Sequence, residues 1–205
     1  MGKRTATRRV SAILLSILML TPANLLSWSV EGHRTVALIA MNRLQGTPTA
    51  ARIKKILGKL TLEDIATCPD EVRDLEKYHA PMSAVCKKIF PKPPKGTANW
   101  HFVDIPIKES DFEPSTSDVN TACNNNCSLT QIDHFLNVLS ASKSTDKGQK
   151  KLQDQQALSY VVHFIGDLHQ PLHSADRNGD RGGNDEHISF WNGRERQART
   201  AYDLG

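Results

Sequence analysis

The sequence predicts an all-α single domain, and three observations lead there. Apolar residues recur at helical spacing in several segments, extended apolar stretches are almost absent, and no internal repeat divides the chain. Arg34 to Leu44 carries Val36, Leu38, Ile39 and Met41, close to the pattern of a buried helix. Thr49 to Leu60 puts Ile53, Ile56, Leu57 and Leu60 on one face and lysines on the other. Ser128 to Ala141 repeats the pattern with Leu129, Ile132, Leu136 and Leu139. Leu152 to Leu168 is the strongest helix, carrying Leu158, Val161, Val162 and Ile165, with Pro171 just past its end. Phe90 to Gly96 reads as a Pro- and Lys-rich loop, and Lys108 to Asn126 as polar connection. Only Trp100 to Ile107 reads as extended.

The first 27 residues stand apart. Lys3, Arg4, Arg8 and Arg9 precede an apolar run from Val10 to Leu20, and Ser27 offers a small residue at the junction, which makes 1–27 a secretory signal peptide. A membrane-spanning helix needs about 20 predominantly apolar residues, more than this run supplies. Removing 27 of the 205 residues leaves 178, enough for one domain with a sizeable core, beginning at Trp28. Four of the 26 basic residues leave with the leader, so 22 remain against 22 acidic ones. No global positive field survives, and any nucleic-acid binding must come from a local site. Cys68, Cys86, Cys123 and Cys127 are an even number in an exported chain, which permits two disulfides in any of three pairings. Cys123 with Cys127 closes most readily, leaving Cys68 with Cys86 by elimination. A secreted or periplasmic location follows.

Chemistry concentrates between His163 and His173. His163 and Asp167 lie four apart on the strongest helix, hence on one face a turn apart. An imidazole and a carboxylate on that largely apolar face need a partner. His173 follows Pro171, where the chain leaves the helix and can turn back. Imidazole nitrogen with carboxylate oxygen is a donor set that zinc accepts, and a shared carboxylate can bridge two ions. Three histidines and an aspartate within eleven residues make a surface ion pair the poorer reading. Elsewhere stand Trp28 and His33, Asp70 with Arg73, and His101 beside Phe102 and Asp104.

Taken in order, Trp28-Ser-Val-Glu-Gly-His33, Asp70-Glu-Val-Arg73, His101-Phe-Val-Asp104, the His163 to His173 block and Gly182-Gly183-Asn184 closely resemble the zinc-dependent single-strand-specific nucleases. That family holds fungal secreted nucleases, plant bifunctional nucleases and bacterial 3′-nucleotidases. The resemblance implies the helical fold shared with zinc-dependent phospholipase C, with a zinc cluster between helices. It implies that Trp28 chelates zinc through its free α-amino group and carbonyl, so that leader removal completes the site. Trp28, His33 and Asp167 would hold one zinc, and Asp70, His101, His163 and Asp167 its neighbour, bridged through Asp167. His173 would serve a third zinc, and His169 is no direct ligand. Asp70 would orient the nucleophile, Arg73 bind phosphate, Phe102 stack on a base and Asp104 bond its edge. Stacking requires an unpaired base, which implies single-stranded DNA and RNA as substrates, together with 3′-nucleotides. Neither a stable protein partner nor a membrane is implied.

The chain departs from the family after Gly182-Gly183-Asn184. The family continues to an Asn-Leu-His-x-x-Trp-Asp motif and closing helices, whereas here 194–205 carries neither, and Asp203 has no histidine four residues before it. The expectation is an incomplete nuclease domain over 28–193 with an aberrant or truncated tail, a third zinc served only by His173, and weak activity. Two rivals stand beside the nuclease. One is a zinc-dependent phospholipase C, against which Phe102 and Asp104 favour a nucleobase. The other is a non-catalytic zinc-binding remnant, which the ending supports.

Overall fold

A computed structural model describes residues 30–107, 113–141, 147–177 and 179, with the backbone of 187–189 and 195–197. The expected signal peptide at 1–27, Trp28, Gly182-Gly183-Asn184, and residues 194 and 198–205 with Asp203 lie outside the described residues.

Helix α1 covers Val30–Arg43, starting four residues before the expected Arg34. Its inward face also differs from the expected one. His33 and Ala37 are buried and Ala40 and Met41 partly so, whereas Leu38 and Ile39 are 48% and 54% exposed. The inward spacing of i, i+4, i+7 and i+8 is a helical stripe, but its first member is an imidazole and escapes an apolar count. Helix α2, Pro48–Leu57, opens where the Ala50 N–H donates to the Thr47 hydroxyl. It stops at Gly58, whose φ of 69° lies in the left-handed region that favours glycine. A Thr61–Asp64 capping box starts the single turn α3, Leu62–Ile65. Helix α4, Cys68–Tyr78, follows, and then α5, Ala84–Ile89, capped by Ser83. The periodicity reading missed all three: α3 and α5 are too short to repeat, and α4 is mostly charged.

Trp100 to Ile107 is not one extended stretch. Ala98–His101 is a 3₁₀ turn and only Ile105–Pro106 is strand β1. The expected Lys108–Asn126 connection contains a helix, α6 at Thr116–Cys123, opened by a Ser115–Asp118 capping box. Local capping chemistry outweighs the polar composition there. Helix α7, Ser128–Ala141, has its expected bounds. Helix α8, Lys147–Leu168, begins five residues before the expected Leu152. A turn of helix α9, Pro171–Ser174, leads into β2, Ala175–Asp176. Strand β2 runs parallel to β1, with Ile105 opposite Ala175 and Pro106 opposite Asp176. Strands β3, His187–Ser189, and β4, Glu195–Gln197, form an antiparallel pair.

Helix α8 is the axis of the domain. It lies most extensively on α7 and also meets α1 to α5 and α9. Residues 157–164 are buried without interruption, as expected for a helix surrounded on all sides. Tyr160 anchors an aromatic cluster, stacking on Phe135 and meeting Phe90 and Trp100 edge-on. Disulfides join Cys68 to Cys86, tying α4 to α5, and Cys123 to Cys127, tying the end of α6 to the start of α7. Among the described residues no helix is long and apolar enough to cross a membrane.

Candidate metal centre

Four elements bring their polar groups to one end of α8. Two successive turns of α8 are fastened to α3: the Ser159 hydroxyl donates to the Ile65 carbonyl at 2.7 Å, and His163 Nδ1 donates to the Ala66 carbonyl at 2.7 Å. The second bond fixes the His163 ring and turns Nε2 inward. Asp167, one turn on, lies on the same face. Asp70 sits in the first turn of α4, where the helix dipole favours a carboxylate. The Cys68–Cys86 disulfide, two residues before Asp70, anchors that turn. His101 closes the 3₁₀ turn, and His33 comes from the inward face of α1.

The donor atoms converge with the spacing of a coordination shell. His101 Nδ1 stands 3.0 Å from His163 Nε2, 3.2 Å from Asp167 Oδ2 and 3.5 Å from Asp70 Oδ1. His163 Nε2 stands 3.2 Å from Asp167 Oδ2 and 3.4 Å from Asp70 Oδ1. A tetrahedron of nitrogen and oxygen ligands at zinc-like bond lengths has edges of about 3.3 Å. Asp167 Oδ2 is buried and forms no well-aligned hydrogen bond despite two imidazole nitrogens at 3.2 Å, which leaves it available as a ligand. These donors therefore fit a divalent cation held by nitrogen and oxygen ligands. The other carboxylate oxygens face His33: its Nε2 lies 3.4 Å from Asp167 Oδ1 and 3.7 Å from Asp70 Oδ2. Asp70 and Asp167 thus each turn one oxygen toward His33 and the other toward the His101–His163 pair. Two ligand groups are available, His33 with His163 and Asp167, and Asp70 with His101 and His163.

The electrostatics match this crowding. Burial alone would lower His163, but Asp167 and Asp70 outweigh it and push the imidazole up to about 10. Burial, reinforced by the charge on His163, pushes the stacked His33 down to about 3. Burial likewise lowers His101. It would raise Asp70, yet Arg73, His163 and His101 hold that carboxyl well below the usual range. The same two imidazoles keep Asp167 ionised despite its burial.

Arg73 lies one turn after Asp70 and is held from both sides, its Nη1 2.7 Å from Asp70 Oδ1 and its Nε 2.9 Å from Asp74 Oδ1. Sequence reasoning missed Asp74, Ser159 and the carbonyls of Ile65 and Ala66. A capping or carbonyl partner has no residue signature, although Asp74 at the position after Arg73 could have been noticed. Half-buried His173 lies in α9 within electrostatic reach of Asp167 and Asp70, outside both ligand groups. Its carbonyl accepts from the Val103 N–H at 2.9 Å, and the Phe102 carbonyl accepts from the Ser128 N–H at 3.2 Å. Phe102 and Asp104 are thereby brought alongside the His173 turn, with Asp104 in the left-handed conformation at φ 40°. His169, just past the end of α8, is exposed, its Nδ1 donates to the Ile165 carbonyl at 2.7 Å, and it belongs to neither ligand group.

A helical frame holding three histidines and two aspartates at ligand spacing between its helices defines a helical protein with a candidate metal centre. Residues 28–203 match the family model described as S1/P1 Nuclease, and the chain belongs to that family. It is 32% identical to Endonuclease 4 of Arabidopsis thaliana over 164 residues, 78% of this chain and 48% of that protein. Nuclease S1 of Aspergillus oryzae is 30% identical over 185 residues, 88% of this chain and 54% of its own length. Nuclease P1 of Penicillium citrinum is 29% identical over 170 residues, 80% and 52% respectively. The chain spans about half the length of the curated relatives it matches.

Proposed function

We propose that this protein is an exported zinc-dependent endonuclease that hydrolyses single-stranded DNA and RNA and removes 3′-phosphates from 3′-nucleotides. The observation that carries the reading is the cage of Asp70, His101, His163 and Asp167, with donor spacings of 3.0 to 3.5 Å. Residues 1–27 act as the signal peptide and 28–193 as the catalytic domain. Trp28, His33 and Asp167 would hold one zinc, Asp70, His101, His163 and Asp167 a second, and His173 would contribute to a third. Bound zinc supplies Lewis acidity toward phosphate oxygens and acidifies water to near neutrality.

The chain's own residues do the rest. Asp70 orients the attacking water and, with Asp74, holds the Arg73 guanidinium. The planar fork of Arg73 grips two oxygens of the scissile phosphate. Phe102 stacks on the base beside that phosphate and Asp104 accepts from the base edge, a geometry open only to unpaired bases. Water oxygen bonds to phosphorus and gives up a proton, the bond to the 3′ oxygen breaks, and that oxygen takes up a proton in its place. The products carry 5′-phosphate and 3′-hydroxyl ends. The two disulfides support an oxidising, extracytoplasmic location.

The test incubates purified protein with circular single-stranded DNA and its duplex counterpart, with zinc and with chelator. Zinc-dependent cutting of the single strand alone, leaving 5′-phosphates, supports the reading. Indifference to chelation, or equal cutting of duplex, would defeat it.

A further inference from the structure

The mature chain is electrically balanced, yet its lysines are not evenly spread. Adjacent residues of α8 fasten two helix ends to the same level of that helix. The Gln155 amide donates to the Ile56 and Leu57 carbonyls at the end of α2, at 3.0 and 3.3 Å. The Gln156 amide donates to the Ile89 carbonyl at the end of α5, at 2.7 Å. Lys54 and Lys55 occupy the last turn of α2, Lys59 follows it, and Lys87 and Lys88 occupy the last turn of α5. Lys151, one turn before Gln155, reaches over α2 until its Nζ lies 3.0 Å from where a Cβ on Gly58 would stand. All six are exposed. Among the described residues none of them takes part in an ion pair, and the one carboxylate paired on this stretch of α8, Asp154, is engaged by Lys150 at 3.1 Å.

Lysines at helix C-termini offset the dipole, which accounts for one or two per helix. It does not account for two such ends being bonded to neighbouring residues of α8, with Lys151 of α8 lying over one of them and the nearby carboxylate of Asp154 already engaged by Lys150. This end of α8 lies away from the metal centre: from Lys151 to His163 is twelve residues of α8, about 18 Å.

We propose that this lysine pole is a second binding surface for the phosphate backbone of single-stranded nucleic acid, gripping the strand beyond the cleavage site. Charge complementarity carries the proposal, and the identity of the polyanion rests on the nuclease reading. A strand several nucleotides long reaches both places, while a dinucleotide reaches the metal centre only.

The experiment uses the full chain and a variant with Lys54→Gln, Lys55→Gln, Lys87→Gln and Lys151→Gln, checked for unchanged thermal unfolding. Binding of a labelled 20-mer single strand is followed by anisotropy across salt concentrations in chelator, so that no turnover is needed. The variant is expected to bind more weakly, with a salt slope flatter by about 0.7 for each phosphate that no longer meets a lysine. Cleavage of a dinucleotide in zinc should be unchanged. Identical affinity and slope in the two proteins would overturn the proposal. So would lysine-dependent binding to vesicles of phosphatidylserine and phosphatidylcholine without binding to the 20-mer. Weakened 20-mer binding in a protein that cleaves nothing would sustain the surface and reject the nuclease reading separately.

Discussion

His33 and His163 stack face to face, their ring centroids 3.7 Å apart and 17° from parallel, although their proton affinities diverge in opposite directions. His163 is flanked by Asp167 and Asp70 and is pushed up to about 10, while buried His33 is pushed down to about 3. One ring carries the proton so that the other need not. With metal absent, an NMR titration should find His163 still protonated at pH 8 and His33 still neutral at pH 5. Two rings titrating together near 6.5 would contradict this pairing.

The same shifts set the stability of the metal-free protein. His33 has a lowered folded pKa, so the unfolded chain binds more protons between 6.5 and about 3, and stability falls as pH falls through that window. Asp70 and Asp167, also lowered, contribute stability above 3.8 that is lost in stronger acid. His163 has a raised folded pKa, so its contribution is complete below 6.5 and is lost as pH rises through about 10. Thermal unfolding in chelator should therefore peak near neutrality and decline on both sides. A Tm that climbs steadily from pH 6 to pH 10 would contradict the assignment of His163.

Zinc must displace the proton on His163 Nε2, because Nδ1 is already committed to the Ala66 carbonyl. Binding at pH 7 should release about one proton from this ring, since ligands bind deprotonated. Calorimetry in two buffers of different ionisation enthalpy measures it. Zero release would show that zinc enters elsewhere.

Arg73 owes its position to Asp70 and Asp74. Arg73→Lys keeps the charge and loses the fork, and kcat/KM on single-stranded DNA should fall about tenfold to a hundredfold, the worth of one charge-assisted hydrogen bond at roughly 1.5–3 kcal/mol. Zinc content should not change. Loss of zinc in that variant would instead make Arg73 part of the metal cluster's support.

The two disulfides close loops of different length, with separations of 18 and 4 residues. On chain-entropy grounds, removing the Cys68–Cys86 bridge with alanines should cost about 3 kcal/mol and removing Cys123–Cys127 about 2. Because Cys68 opens the helix that carries Asp70, the first variant should also bind zinc more weakly. Urea unfolding and zinc titration of both variants check this.

Parts of the centre were legible in the sequence for a simple reason. His163 and Asp167 need only the period of one helix to be placed together. His33, Asp70 and His101 lie on three other elements, and no local pattern joins them; only their likeness in order to a known family did. Helix α1 shows the cost of local reading, since an imidazole leads its inward stripe while Leu38 and Ile39 face outward. The short helices α3, α5 and α6 come from capping residues rather than periodicity. Ser159 and the carbonyls of Ile65 and Ala66 become visible only once α8 is laid on α3.

Asp167, with Oδ1 3.4 Å from His33 Nε2 and Oδ2 3.2 Å from both His101 Nδ1 and His163 Nε2, is the residue that the two proposed zinc sites share. The most direct measurement is zinc per chain, by mass spectrometry after dialysis, in the natural protein and in Asp167→Asn. The account predicts at least two zinc ions in the former and a loss of tightly held zinc in the latter, with cleavage of single-stranded DNA lost alongside. Equal zinc in both proteins would contradict it.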